Sequence, residues 1–267
     1  MRTMAVIAKS AIKEHSRCKL IFAATIVSLI TMAVLLYFAA TQDQAAVLFG
    51  RGGDRANGLA IATFASLGFL GIFAVFVALA VSMGNVGQPF SNGEATLVLA
   101  RPVDRWQYAL GRLAASIVIV VGFCALVAVE MQIVSVVGGG GISVDLWGHW
   151  ASAAFNLSVL VTLTTLLSTF ISIPIVVAVI SFFVNQLIGG VALLHILVRL
   201  QSSNLNAGTS AAIETLWYIT PKFLQSPLTL RAASGAGHGT GFLMPHNSPG
   251  MTAWAIGYLA GIVLLIV

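Results

Sequence analysis

The stretch WASAAFNLSVLVTLTTLLSTFISIPIVVAVISFFVNQLIGGVALLHILV, from Trp150 to Val198, contains no Asp, Glu, Lys or Arg. One buried helix of a soluble domain is never this long without a charge. A bilayer span takes about 20 apolar residues, so the stretch is long enough to cross twice. Pro174 divides it, because proline removes a backbone donor and crowds the preceding turn. The expected spans are about 152–171 and 175–198, joined by a short uncharged connection.

The rest of the chain agrees. Charged residues make up 8% and hydrophobic residues 58% of the 267 positions, and the mean hydropathy is +0.99. The fold class expected is all-α: a polytopic membrane protein of about six transmembrane helices, forming a single domain over 1–267. The net charge is +5 and the pI about 9.6. In a soluble protein that balance would suggest nucleic acid. Here the basic residues flank apolar runs, where they hold loops inside and meet anionic lipid, and no nucleic-acid partner is expected. Cys18 sits at the expected inner surface and Cys124 inside an apolar run. With no CxxC, neither a disulfide nor a zinc site is supported.

Residues 1–19 carry Arg2, Lys9, Lys13, Arg17 and Lys19 against one acid, Glu14. Met4, Val6, Ile7, Ala11 and Ile12 are interleaved, which predicts an amphipathic helix lying on the inner surface. Span 1 is 20–40. It exceeds the roughly 7–15 residues of a signal-peptide core, and Phe38-Ala39-Ala40 is a poor cleavage site, so it is expected to be retained. The loop with Asp43, Arg51, Asp54 and Arg55 has cancelling charges and suits the outer side. Span 2 is about 59–83, with Ser66, Gly68 and Gly71 as small contact surfaces.

The loop 84–112 is the most structured polar segment. Ser91 and Glu94 have capping-box spacing, which predicts a short helix over 91–100. Arg101-Pro102 ends it, because the residue before proline disfavours the α region. Pro102 then opens the next helix, with Asp104, Arg105 and Trp106 at the interface. Arg101, Arg105 and Arg112 place the loop in the cytoplasm. Span 3 is about 113–137, and Gly138 to Gly141 begin an outer loop reaching Trp150.

Beyond Val198 the sequence is mixed. Ile213, Leu216 and Trp217 have helix-like spacing opposite Glu214, and Pro221 and Pro227 interrupt the segment after them. Residues 232–250 read as a Gly-rich flexible loop, and span 6, 251–267, is barely long enough. Six spans with both ends inside satisfy the basic residues of the N-terminus and of 84–112. Arg199, Lys222 and Arg231 then face outward in a loop near the length at which the rule weakens. The alternative makes 152–198 a re-entrant pair and puts 199–250 inside.

Glu130 is the only acid within a span, and an ionisable residue in lipid is a functional candidate by default. The plainer reading places it near the outer end of span 3, in reach of water. Thr162, Thr164, Thr165, Ser168 and Thr169 crowd span 4, and Asn185 and Gln186 sit in span 5. Glu130, Thr165, Asn185 and Gln186 are thus the candidate translocation path; ordinary hydrogen bonding between helices is the plainer account. His195 and Arg199 read as a snorkelling pair. His238 and His246 lack a third ligand, so no metal is expected. No GxxxxGKS/T loop is present to hold ATP, and HExxH and GxSxG are missing. An enzyme is not expected, nor a cofactor in this chain.

Gly93-Glu94, Ala100-Arg101-Pro102-Val103, Arg105 and Leu110-Gly111-Arg112 together resemble the loop after the second span of ABC-2-type permeases. These are the membrane subunits of bacterial ATP-binding cassette exporters. The basic segment Ile7-Ala8-Lys9 through Arg17 is similar to the family's connecting helix, and the six-span layout with a long fifth-to-sixth connection is similar too. The nearest subgroup looks like permeases connected with copper-enzyme maturation or multidrug efflux. Two departures are the missing charged C-terminal tail and the long Gly-rich segment 232–250.

The resemblance implies a cytoplasmic coupling helix at about 91–100 that docks on a separate ATPase through Ser91, Glu94, Leu97, Arg101, Pro102 and Arg105. It implies ATP and Mg in that partner, a second permease copy as homodimer or heterodimer, and a multi-pass place in the cell inner membrane with the N-terminus cytoplasmic. The first functional expectation is therefore the permease subunit of an ATP-driven exporter. Its substrate stays open among amphipathic drugs, lipids and a factor for an envelope metalloenzyme. Two further readings are an ion-coupled secondary transporter using Glu130 and a non-transporting membrane assembly protein.

The distribution of basic residues predicts the sidedness of the loops. With cysteines introduced at Asn92 and Gly140, an impermeant thiol reagent on intact cells is expected to label position 140 and not 92. The opposite pattern means that the orientation is reversed.

Overall fold

The computed structural model describes residues 2–16, 19–40, 65–83, 104–138, 141–171 and 173–200, a stretch within 256–264, and a few single positions. The described residues contain helices and no strand. They comprise α1 (Arg2–Ser16), α2 (Lys19–Ala40), a π-helical turn at Ser66–Leu70 leading into α3 (Gly71–Ser82), α4 (Arg105–Val137), α5 (Val144–Phe170) and α6 (Pro174–Leu200). Two stretches are long and apolar enough to cross a membrane by length and composition, Trp106–Val137 and Val144–Phe170.

The centre of the bundle is α4. It has 33 residues, which at about 1.5 Å per residue make a rod of roughly 50 Å. The helices α1, α2, α3 and α5 all pack on it, and α6 packs on α5 and α3. Its buried side repeats with helical spacing through Leu113, Val120, Phe123, Val127, Met131 and Val134. Ala24 of α2, Val77 and Ala78 of α3, and Leu146, Trp150 and Leu160 of α5 complete the same core. Small residues at these contacts let the backbones approach closely. The opposite sides are apolar too. Phe22, Leu29 and Ile30 on α2, Val118 and Val129 on α4, and Ile175, Phe183 and Leu187 on α6 are exposed. A helix that is apolar all round faces other apolar matter on every side.

Several sequence expectations hold. Pro174 is the first residue of α6, and Ile171 ends α5 in an extended conformation. The first two helices fall where their composition places them. Others need correction. The fourth helix begins at Arg105 rather than Pro102, because Asp104 is extended (φ −68°, ψ 141°). It caps the helix with its backbone, accepting from the amides of Gln107 at 3.0 Å and Tyr108 at 3.3 Å. Helix therefore extends eight residues ahead of the expected start of span 3. In the same way, α5 starts at Val144, so the outer connection expected over 138–150 shrinks to 138–143.

That turn is built by α4 itself. Gly141 has φ 69°, a left-handed conformation that favours glycine. Its carbonyl accepts from Gln132 Nε2 at 3.0 Å and Ser135 Oγ at 3.1 Å. Gln132 Oε1 also accepts from the Ser143 amide at 3.3 Å. The turn thus fixes the antiparallel register of α4 and α5.

The N-terminal helix falls over the expected residues. It packs against α4, with Ala11 buried, Ile7, Ala8 and Ile12 half-buried, and Val6, Lys9 and Lys13 exposed. At Gly93, φ is 75° and the chain turns. A helix starting at Ser91 would carry Gly93 in its first turn with φ near −63°, so the capping-box helix does not run through this residue. The rest of 91–100 lies outside the described residues, as do the expected loops at 41–58 and 232–250. The first turns of span 2 and most of span 6 lie outside them as well; within span 6, 259–264 is helical.

Candidate functional site

Two polar clusters interrupt the apolar bundle, one toward each end of α4. The first is centred on Arg112. Its place follows from a stripe with a four-residue period, Tyr108, Arg112 and Ser116, which puts all three on one face of α4. All three are buried. The guanidinium donates from Nη1 to the Tyr108 hydroxyl at 3.2 Å and from Nη2 to Glu14 Oε1 of α1 at 3.2 Å. Nε donates to Asn85 Oδ1 at 3.4 Å. The Tyr108 ring lies under the guanidinium, 5.8 Å from its centroid.

Asn85 completes the cluster. It follows α3 directly, and its amide donates to the Ser82 carbonyl at 3.2 Å. Its Nδ2 donates to Ser116 Oγ at 2.7 Å and to the Arg112 carbonyl at 3.3 Å. Three stretches remote in sequence therefore meet at one side chain: α1 through Glu14, the exit of α3 through Asn85, and α4. Arg112 is 7% exposed while the Glu14 side chain is 58% exposed. The pair straddles the edge of the bundle, with the cation inside and the carboxylate at the rim.

The second cluster is Glu130. The expectation that it reaches water is corrected: it is 3% exposed. Its Oε2 accepts a hydrogen bond from the Ser28 hydroxyl of α2, itself fully buried. Oε1 has no partner among the described residues. A buried polar atom without a partner is costly. Trp150 Nε1 is a second buried, unpartnered atom. It lies six residues into α5 and Glu130 seven residues before the end of α4, so each is roughly 10 Å from the shared turn.

The threonine-rich face of α5 is quiet by comparison. Thr162, Thr164 and Thr165 each donate to the carbonyl four residues back, at 2.7, 2.7 and 2.8 Å. Ser168 and Thr169 do the same three residues back. Their donors are used within the helix. Glu130 and Thr165 lie on antiparallel helices at distances of roughly 10 and 31 Å from the turn, so about 20 Å separates them along the bundle. Asn185 is half-buried and Gln186 exposed on α6. The four residues expected to form one path are not gathered into one site.

Between α3 and α6 lies an apolar groove of about 360 Å³, lined by Phe76, Leu79, Met83, Val179, Phe182 and Phe183 among others. The Phe76 and Phe182 rings stack at 6.3 Å, and Phe183 meets Phe182 edge-on at 6.1 Å. Among the described residues no group of three His, Cys, Asp or Glu side chains is placed to hold a metal.

Of the expected coupling residues, Ser91, Glu94, Leu97, Arg101 and Pro102 lie outside the described residues. Arg105 is the first residue of α4. His195 falls within α6. Sequence reasoning missed Ser28, Glu14 and Asn85 as functional partners. The stripe of Tyr108, Arg112 and Ser116 was a readable signal for one half of the first cluster. The lone acid of a basic helix was a weaker signal for the other. No family model and no curated protein matches the chain.

The bond from Ser28 to Glu130 ties α2 to α4, and its strength can be read from variants. Ser28→Ala is expected to lower stability by about 0.6–2 kcal/mol, the range for hydrogen bonds between membrane helices. Glu130→Gln preserves an acceptor for Ser28 and should lose less than Glu130→Ala. Thermal unfolding of the purified protein in a mild detergent checks the order.

Proposed function

We propose that this chain is the membrane-spanning permease subunit of an ATP-driven exporter, multi-pass, with its N-terminus in the cytoplasm. The observation that carries the reading is the apolar groove between α3 and α6. It is large enough for an alkyl chain or an aromatic ring system, it carries aromatic side chains for stacking, and it brings no catalytic group to its occupant. The apolar outer faces of α2, α4 and α6 fit a lipid environment, in which such a groove takes molecules dissolved in the bilayer. Amphipathic drugs and lipids are the substrate classes that match it. The resemblance of 84–112 to the ABC-2 permeases supplies the energy source.

In this reading a separate ATPase binds ATP and Mg, and closure of its nucleotide-binding dimer pushes on the segment 91–105. The push tilts α2, α3 and α6 and alternates access to the groove, with a second permease copy completing the pathway. The nucleotide is held by that partner.

A second reading has its own observation. Glu130 Oε1 is buried without a partner among the described residues, which suits a residue that takes up a proton or a small cation during an ion-coupled cycle. Transport that persists without any ATPase and is abolished by Glu130→Gln, with assembly intact, would favour it over the exporter.

Two measurements test the exporter. Leu97→Asp should abolish copurification of the ATPase, since burying one unpaired carboxylate at a docking contact costs on the order of several kcal/mol. Equal recovery of the ATPase with wild type and variant in the same detergent removes the coupling role of 91–105. Phe182→Ala should weaken binding of an apolar fluorescent dye by about tenfold, as expected for a buried aromatic anchor. An unchanged affinity in a fluorescence titration removes the groove as the substrate site.

A further inference from the structure

We propose that Arg112 is a mechanical joint: it makes the N-terminal helix α1 and Asn85, at the exit of α3, move together with α4. The use of such a joint, carrying a partner's push from the loop to α1, rests on the exporter reading. Its existence rests on geometry alone.

Each nitrogen of the guanidinium has its own partner. Nη2 faces Glu14, Nη1 faces Tyr108, and Nε faces Asn85. A guanidinium is planar and rigid, so moving one of these partners turns the plane and disturbs the other two. Asn85 is held from three directions. Its amide bonds back to α3 at Ser82, its Nδ2 bonds Ser116 and the Arg112 carbonyl, and its Oδ1 receives Nε. It is fully buried, as is Ser116. Asn85 is thus bolted to α4 at the level where α1 is attached.

The attachment of α1 depends on the same side chain. Glu14 is the one acid of the N-terminal segment 1–19, and its carboxylate pairs with Arg112. The pair lies three residues along α1 from Ala11, which is 2% exposed. The hydrogen bonds of the Asn85 side chain run to Arg112 and Ser116 of α4. Through Arg112 these bonds lead on to Glu14 of α1. A merely structural salt bridge would hold α1 without responding to Asn85, and this difference separates the two accounts.

The experiment uses the full-length protein in detergent micelles, with Cys18→Ala and Cys124→Ala and a reporter Ala11→Cys. A maleimide labels the reporter only when α1 lifts from α4. Arg112→Gln and Glu14→Gln should each speed labelling by about tenfold, and Asn85→Ala by about threefold or more, the range of couplings within one hydrogen-bonded network. Asn85→Ala added to Arg112→Gln should bring no further increase. In an Arg112→Lys background, which keeps the charge but lacks the fork, Asn85→Ala should have no effect; this variant also serves where Arg112→Gln fails to fold. Labelling that stays at the parent rate in Asn85→Ala, while Glu14→Gln raises it, would overturn the joint and leave a local clamp. No ATPase takes part, so loss of the exporter reading leaves this outcome unaffected.

Discussion

The structure depends on how one long helix satisfies its polar side chains away from water. In apolar surroundings an unpaired polar group is expensive, and the partner must come from another helix. The helix α4 carries Arg112 near one end and Glu130 near the other, with about 27 Å of largely apolar surface between them. The first finds Glu14, Asn85 and Tyr108; the second finds Ser28. Each pairing draws a different element onto α4. The N-terminal helix and the exit of α3 are drawn to one end, and α2 is drawn to the other. Dispersion between small and branched side chains fills the space between these two fixed points.

The two clusters differ in how completely they are satisfied. Every nitrogen of the Arg112 guanidinium has a partner, and a fully connected network specifies one arrangement. It suits a rigid transmission point. Glu130 uses one oxygen and leaves the other unmet among the described residues, and Trp150 leaves its ring nitrogen unmet at a similar depth. The hydroxyls of α5, returned to their own backbone, contribute to neither. Polar composition alone therefore does not say which side chains tie helices together.

The groove between α3 and α6 belongs to the periphery of this scheme. The sixth helix packs on α5 and α3, and among the described residues its seam with α3 is lined by apolar side chains. Met83, which lines the groove, is two residues from Asn85, which bonds to Ser116 and Arg112 of α4.

The sequence by itself determined that the chain is helical, where the helices of 2–40 and 174–200 lie, and that Pro174 divides the long uncharged run. These have local causes: apolar composition over a helix length, and the missing amide of proline. It could not place the start of α4 at Arg105, since that was decided by the extended backbone of Asp104. Nor could it close the turn at 138–143, where the Gln132 side chain reaches forward to Gly141 and Ser143. Only tertiary structure buried Glu130 against Ser28, across 102 positions of sequence, and joined Glu14 to Arg112 across 98. Helical periodicity states which residues share a face but not which face another helix covers. In an apolar chain nearly every face looks alike, so the few polar contacts decide the arrangement, and these appear only once the helices are packed.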